Sequence, residues 1–304
     1  MSVVIDVHQV SKHFGKAKAV DKVSFQVESG KIFGLLGPNG AGKTTTLRMI
    51  NHIINPDSGS IHIHGKPVSP ISQQRIGYLP EERGLYKKMK VFDQLMYLSQ
   101  LKGLSASEAK NAIEFWLERF DASSWKKKEI AELSKGMSQK IQFIATVAHD
   151  PDIYVFDEPF SGLDPINSEM LKDVILEEKA KGKTILFSTH RMEQVEQMCD
   201  DICLFSKGKA VLQGDLREIK KSFGTNTVLL EFIGNPQFLD ELKNVRINNR
   251  SNNFAEIRLF ENTNAQTILS TAMKQVEIIR FECVQPSLQD IFISTVNEHD
   301  PKTA

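Results

Sequence analysis

A glycine-rich stretch near the N-terminus has the residue types and spacing of a phosphate-binding loop. It runs from Gly37 to Thr44 in the pattern G-x-x-x-x-G-K-T, between an apolar run at 32–36 and a predicted helix at 43–51. Glycines let successive backbone N–H groups turn toward an anion, and the helix N-terminus adds its positive end. Lys43 supplies a point charge for phosphate oxygens, and the Thr44 hydroxyl is a ligand for Mg²⁺. An ordinary glycine-rich turn is the alternative, which the flanking strand and helix disfavour.

Two adjacent carboxylates follow a second apolar run at 153–156. Asp157, at the end of a buried strand, can hold Mg²⁺ through water, and Glu158 can orient and polarise an attacking water. Both acids would instead only cap a turn if they stood alone before Pro159. The phosphate loop upstream favours the catalytic alternative, so the sequence predicts phosphoryl transfer to water.

The elements around these motifs predict an α/β fold. Residues from about 88 to 150 have mostly helical patterns, including a capping box at Ser105 and Glu108, and predict an inserted helical lobe. Apolar strands at 153–156 and 184–188 alternate with helices after Pro165 and through 193–199, which is typical of a parallel sheet covered on both faces. Four β-rich runs separated by Gly, Asp and Ser predict a strand-rich N-terminal lobe: 3–7, 23–27, 32–36 and 61–63.

The pattern changes after Gly224, where a small α+β module is predicted. The boundary is placed near 222–226, giving a first domain at 1–222 and a second at 223–304. A polar run at 248–253 predicts a turn between strands. Strands are predicted at 228–233, 256–260 and 276–281, and helices at 236–242, 265–274 and 287–297.

Composition excludes several classes of protein. The 304 residues include 38 basic and 38 acidic side chains, so the chain lacks the net positive charge of a non-specific nucleic-acid binder. No apolar run approaches the roughly 18–20 residues that cross a bilayer, and no signal peptide is recognisable, which predicts a cytoplasmic location. Cys199, Cys203 and Cys283 are too few for a disulfide framework and are predicted to be reduced, buried small hydrophobes.

Together these motifs resemble the ATP-binding-cassette (ABC) family, specifically the nucleotide-binding subunit of a transporter, over about 3–216. The resemblance implies a P-loop NTPase core with an antiparallel N-terminal β lobe, an inserted helical lobe and ATP and Mg²⁺ as cofactors. The second domain resembles a small α+β domain appended in a bacterial and archaeal subgroup, most clearly at 286–292. The implied ATP-binding residues are Phe14, Gly37, Pro38, Asn39, Gly40, Ala41, Gly42, Lys43, Thr44 and Thr45.

The resemblance also implies individual roles. Lys43, Glu158 and His190 match catalytic positions, with His190 sensing the γ-phosphate, and Thr44, Asp157 and Glu81 match the Mg²⁺ site. Phe14 matches an aromatic ring that stacks on adenine, which contributes about 1–3 kcal/mol and favours affinity more than base selectivity. From composition alone, Phe14 is more often a core residue and His190 a satisfied histidine at a strand end.

Two segments depart from the family pattern. The signature LSGGQ is replaced by Leu-Ser-Lys-Gly-Met, in which Ser134, Lys135, Gly136 and Met137 are expected to face the γ-phosphate bound by an opposite subunit. Lys135 adds a cation near that anion, whereas Met137 removes an amide. Glu81 stands where the family has a glutamine, so it keeps a ligating oxygen but adds a negative charge. Ser161 and Asp164 bound the D-loop, which contacts the opposite subunit in the family.

The function implied by the resemblance is that of an ATPase subunit that dimerises on ATP, as a homodimer or with a second cassette. It would drive a separately encoded integral membrane permease, most consistent with an exporter, from the inner face of the cell membrane. The alternative is a nucleotide-gated regulatory or interaction ATPase with low turnover, suggested by Lys135, Met137 and Glu81. Cassette ATPases that act on ribosomes or DNA are disfavoured, because the chain has one cassette, no sustained heptads and no basic excess.

Overall fold

The computed structural model describes residues 2–82, 84–224, 226–260 and 263–299, with the side chains of 297–299 left out. The chain forms two compact units, the first ending at Gly214 and the second beginning at Asp215. This division precedes the predicted boundary after Ser222, because a helix begins directly after Asp215, whose carboxylate caps it. Thr225, in the predicted boundary segment, lies outside the described residues. No helix in the described ranges is long and apolar enough to span a bilayer.

An antiparallel sheet forms the N-terminal lobe. Its strand order is β2-β1-β4-β5, and β1 pairs with both β2 and β4. Ile5, Val7 and Val10 of the first strand are buried, as the apolar pattern predicted. The predicted runs at 3–7 and 23–27 are parts of longer strands, since the pairing continues through the polar residues that follow or precede them. The strands are β1 (Val3–Phe14), β2 (Ala17–Glu28), β4 (Ser58–Ile63) and β5 (Lys66–Pro67).

A second, six-stranded sheet positions the chemistry-bearing residues. Its strand order is β10-β9-β3-β8-β7-β6, with parallel pairs from β9 through β6. Every residue of β3, β7 and β8 is buried, as expected of a parallel sheet covered on both faces. The carboxyl ends of these three strands meet at one edge of the sheet. The strands are β3 (Ile32–Leu36), β6 (Ile76–Leu79), β7 (Ile153–Asp157), β8 (Thr184–Thr189), β9 (Asp201–Ser206) and β10 (Lys209–Asp215).

Six α-helices lie among the described residues of the first unit, with short 3₁₀ helices at Ser72–Arg75, Ser123–Trp125 and Ile130–Glu132. Helix α3 begins with the predicted capping box, in which the Ser105 hydroxyl accepts from the Glu108 N–H and the Glu108 carboxylate accepts from the Ser105 N–H. Ring contacts from Phe120 through Phe143 to Phe156 join the helical lobe to the parallel sheet. The helices are α1 (Lys43–Ile50), α2 (Val91–Leu101), α3 (Ala106–Arg119), α4 (Lys135–Val147), α5 (Pro165–Ala180) and α6 (Met192–Met198).

The second unit has its own antiparallel sheet and its own apolar core. The strand order is β12-β13-β11-β14, and the buried residues Val228, Leu230, Phe232 and Ile257 belong to one cluster. A 3₁₀ helix occupies Pro236–Glu241, where a helix was predicted. The elements are α7 (Leu216–Ser222), β11 (Thr227–Ile233), β12 (Val245–Arg250), β13 (Phe254–Leu259), α8 (Ala265–Ala272), β14 (Glu277–Val284) and α9 (Leu288–His299).

Two predictions for this part of the chain were wrong in detail. Only the second half of the predicted turn at 248–253 is a turn, because β12 continues to Arg250 by pairing with β13 and 251–253 connect the two strands. Cys283 is exposed rather than buried, since it lies on the edge strand β14. Cys203 is buried, as expected, and Cys199 is partly buried.

Candidate nucleotide-binding site

The phosphate loop, residues 37–44, joins β3 to α1 and requires glycine at two tight positions. Gly37 has φ 142°, and a Cβ there would lie 2.3 Å from the carbonyl oxygen of Phe205 on β9. Gly42 has φ 106°, and its Cβ would lie 2.5 Å from the Ala19 carbonyl oxygen on β2. Any side chain at either position would therefore collide with backbone. The backbone of β9 and of β2 thus lies too close to the loop for any residue but glycine at these two positions.

Lys43 is 5% exposed and folds back over this loop. Its Nζ donates to the carbonyl oxygens of Gly37 at 2.6 Å and Pro38 at 3.1 Å. Burial lowers the pKa of Lys43, while the nearby carboxylates of Glu158 and Asp157 act in the opposite direction. The ammonium therefore lies inside the loop, where it would meet a phosphate entering from outside.

The other predicted loop residues differ in exposure. Pro38, Asn39 and Gly40 are exposed at the tip, whereas Ala41 is buried and donates its N–H to the Pro38 carbonyl at 3.2 Å. Thr45 is half-buried in the first turn of α1. The exposed tip leaves this side of the loop accessible to a nucleotide.

Asp157 ends β7 directly beside the loop and is completely buried. Its Oδ1 accepts hydrogen bonds from the hydroxyls of Thr44, at 3.1 Å, and Ser188. Its Oδ2 has no hydrogen-bond partner among the described residues. Burial raises the pKa of Asp157, and the Ser188 and Thr44 hydroxyls oppose that change. An unpartnered buried carboxylate oxygen next to a threonine hydroxyl fits the preference of Mg²⁺ for oxygen ligands.

Glu81 follows β6 and adds a third carboxylate to this region. Partial burial raises the pKa of Glu81, and the charges of Asp157 and Glu158 raise it further. The described residues contain no group of three His, Cys, Asp or Glu side chains that forms a metal cage. Nucleotide sites usually hold Mg²⁺ with one or two carboxylates and the substrate phosphates, so a protein cage is not required.

Glu158 is oriented by several contacts and is 8% exposed. Its backbone has φ 49°, an uncommon conformation for a non-glycine residue, and its N–H donates to the Ser188 carbonyl at 3.2 Å. The carboxylate lies 2.8 Å from His190 Nδ1 and accepts from the Thr189 hydroxyl at 3.4 Å. These contacts hold the carboxylate in one position, and a carboxylate is a group that can accept a proton from water. His190 is exposed, and its ring is therefore available to a ligand as well as to Glu158.

Ser188 and Thr189 were not among the predicted site residues, although they contact both acids. In the parallel pairing of β7 with β8, Ser188 lies directly opposite Asp157. Both residues are polar positions at the end of an otherwise apolar strand and precede His190 in the sequence. Their polarity was a usable signal, but their partners depend on which strands are neighbours.

Phe14 lies at the end of β1 and is 53% exposed, so it is not the core residue that composition alone favours. Lys12 Nζ lies 6.0 Å from the ring centroid, and this ammonium also pairs with Asp57 at 2.8 Å. The ring thus leaves an open aromatic surface, as a stacking partner for a base requires.

We expect Phe14→Ala to weaken ATP binding about tenfold, since loss of one base stacking contact costs on the order of 1–3 kcal/mol. ATP and GTP should lose affinity equally, because stacking does not distinguish the bases. Calorimetric titration of both nucleotides measures this. Phe115→Ala, which removes an exposed ring from α3, is the control. Unchanged ATP affinity in Phe14→Ala would exclude stacking at this position.

The predicted in-trans residues form a second group. Ser134 caps α4 by accepting the Met137 N–H at 3.3 Å, and the side chain of Lys135 lies against Gly162 of the D-loop. At the ends of the D-loop, the Ser161 N–H donates to the Glu158 carbonyl at 3.0 Å, and Asp164 caps α5. Among the described residues, no hydrogen bond joins this second group to the phosphate loop.

Family models match both parts of the chain. Residues 20–161 match the ABC transporter family, and 214–296 match the C-terminal domain of ATP-binding protein DrrA1-3-like. The ABC transporter ATP-binding protein YhaQ of Bacillus subtilis is 45% identical over 96% of this chain and 98% of its own length. Nod factor export ATP-binding protein I of Burkholderia pseudomallei is 37% identical over 80% of this chain and 81% of its own.

Solved structures match most of the chain. An ATP-binding subunit of an ABC transporter superposes with a TM-score of 0.69 at 32% identity, covering 73% of this chain and 93% of that one. The dimeric bacterial ABC transporter cassette MJ0796 superposes with a TM-score of 0.65 at 20% identity, covering 70% and 99%. The likeness extends over nearly the whole length of YhaQ, and the chain therefore belongs to the ABC transporter ATP-binding proteins.

Proposed function

We propose that the chain binds MgATP at the phosphate loop and hydrolyses it to drive a separately encoded integral membrane permease. The observation that supports this most directly is the position of the two acids at the end of β7. Asp157 contacts the Thr44 hydroxyl of the loop, and Glu158 contacts His190. One acid is thus placed for a metal and the other for water, as ATP hydrolysis requires.

In the proposed reaction, the ATP phosphates lie against the loop N–H groups and Lys43. Thr44, Asp157 and Glu81 would hold Mg²⁺, which would supply positive charge to neutralise the phosphate oxygens. Glu158 accepts a proton from the attacking water, whose oxygen bonds to the γ-phosphorus as the bond to the β,γ-bridging oxygen breaks. His190 keeps the Glu158 carboxylate in position and donates to a γ-phosphate oxygen.

Two copies, or this chain with a second cassette, would complete the site. Ser134 and Lys135 are exposed at the start of α4, where a hydroxyl, N–H groups and the helix dipole can receive an anion. Because they are not bonded to the phosphate loop of their own chain, we infer that they complete the site of the opposite subunit. The dimeric form of cassette MJ0796 supports this arrangement.

A cavity of about 530 Å³ supports docking of a membrane subunit beside the Glu81 loop. Tyr78, Gln142 and His149 line it, and Gln142 Oε1 has no hydrogen-bond partner among the described residues. Gln142 Nε2 donates to the carbonyls of Pro80 and Glu82, on either side of Glu81. A permease segment in this cavity would therefore contact the helix that positions Glu81.

The test is to purify the tagged chain from membranes in mild detergent and identify the integral membrane protein that accompanies it. Ala145→Trp, which fills the cavity from α4, should abolish co-purification and leave the ATPase rate of the isolated chain unchanged. Ala106→Trp, at an exposed position on α3, is the matched control. Recovery of no membrane protein with wild type, or equal recovery with Ala145→Trp, would contradict the proposed docking.

We propose an exporter, acting peripherally on the inner face of the membrane. The Nod factor export protein among the relatives supports this direction. The relatives are transporter subunits, so the low-turnover regulatory alternative is not favoured.

A further inference from the structure

Helix α4 holds the segment that follows Glu158 at two points. Gln139, which is buried, donates from Nε2 to the Pro159 carbonyl at 3.0 Å. Four residues earlier on the same helix, Lys135 reaches Gly162. The first four residues after Glu158 are therefore held at both ends by one helix. Lys135 and Gln139 are four residues apart, so their side chains lie on the same face of α4.

The contact between Lys135 and Gly162 is close. Gly162 has φ 76°, and a Cβ on it would lie 2.3 Å from Lys135 Cε, 2.8 Å from Cδ and 3.0 Å from Nζ. The far half of the lysine side chain thus occupies the space where a side chain of residue 162 would stand. Among the described residues, the ammonium has no carboxylate partner, so the contact consists of methylene packing on backbone.

The position of this lysine is electrostatically unfavourable. Lys135 is the first residue of α4, where the helix dipole presents positive charge, and the first turn contains no acidic residue. A long exposed side chain also loses rotamer freedom when it is held in place. The packing of the lysine methylenes on Gly162 is a contact that can offset these costs.

We propose that Lys135 is a positioning residue. It packs on Gly162 and, together with Gln139, fixes the segment after Glu158 and thereby the position of the Glu158 carboxylate. Lys135 itself touches neither water nor phosphate of its own chain in this role, and it acts through the D-loop backbone. The inference rests on the proposed hydrolysis of ATP. It gives Lys135, which departs from the family signature, a role within its own chain.

The test is a double-mutant cycle on steady-state ATPase activity. Lys135→Ala should lower kcat about 3- to 10-fold, a loss within the coupling energies found for residues in direct contact. Lys135→Met keeps the packing atoms without the charge and should therefore hydrolyse ATP faster than Lys135→Ala, whatever the lost charge costs the site of the opposite subunit. Gly162→Ala should displace the lysine and also lower kcat. The double variant should be no slower than Gly162→Ala alone, since the contact is already lost.

The cycle separates this contact from backbone strain. An alanine at φ 76° is strained whether residue 135 is lysine or alanine, so that cost cancels in the comparison. The positioning role would be overturned if the kcat losses of Lys135→Ala and Gly162→Ala multiplied in the double variant. A Lys135→Met variant as slow as Lys135→Ala would also overturn it. Thermal unfolding of each variant identifies any that fails to fold. If Gly162→Ala does not fold, the kcat of Lys135→Met compared with that of Lys135→Ala decides the matter. A wild-type chain that does not hydrolyse ATP would instead overturn the proposed function.

Discussion

Lys43→Ala should lower the ATPase rate by about 10²- to 10³-fold, the usual cost of removing one preorganised group that stabilises transition-state charge. Lys43 is the buried cation at the phosphate loop, and its Nζ bonds to two loop carbonyls. Alanine removes the charge that meets the γ-phosphate and leaves both carbonyls without that donor. ATP binding should weaken as well, because the ground-state phosphates lose the same cation.

Phosphate release from purified protein measures the effect. Lys110→Ala, which removes an exposed lysine from α3, serves as the control and should hydrolyse ATP at the wild-type rate. Thermal unfolding of both variants separates lost chemistry from lost folding. A Lys43→Ala protein that is folded and hydrolyses ATP normally would show that the phosphate loop is not the hydrolytic site.

Glu158→Gln should bind ATP normally and hydrolyse it about 10²- to 10⁴-fold more slowly, as expected when a general base is lost. Glutamine keeps the size of the side chain and can still contact Thr189 and His190, but it does not accept the proton of the attacking water. Because ATP binding is proposed to join two cassettes, this variant should accumulate as an ATP-bound dimer.

Light scattering with size-exclusion chromatography, with and without ATP, measures that accumulation. Glu118→Gln, at an exposed position on α3, is the matched control and should turn over and remain without a trapped dimer. Normal hydrolysis in Glu158→Gln would remove Glu158 from the role of base. Slow hydrolysis without a dimer would be consistent with Glu158 as the base and would contradict ATP-driven dimerisation.

Local sequence signals predicted the parts of the fold that local interactions determine. The limits of β3 match the prediction, and α1 ends one residue before it, because an apolar strand, a glycine turn and a helix start are all encoded within twenty residues. The parallel core also follows from its buried apolar runs. The ABC resemblance, carried by the same motifs, is confirmed by the relatives.

The features that sequence reasoning missed depend on distant neighbours. The asparagine-rich end of β12 resembles a turn, but Asn248 donates to Asp290 on α9 at 2.8 Å and the strand pairs with β13. Cys283 is exposed because β14 is an edge strand, which only the strand order reveals. The contact of Lys135 with Gly162 likewise joins residues far apart in sequence, and no local pattern indicates it.

The pairing of β7 with β8 couples the two acids in a further way. Asp157, the last residue of β7, is opposite Ser188, and Glu158, which follows β7, contacts Thr189, the last residue of β8. A one-residue insertion or deletion within either strand would shift both pairs together and exchange the faces on which the side chains lie. Length changes in these strands should therefore be far more damaging than conservative substitutions within them. The residues proposed to bind the metal and to activate water therefore keep their alignment only together.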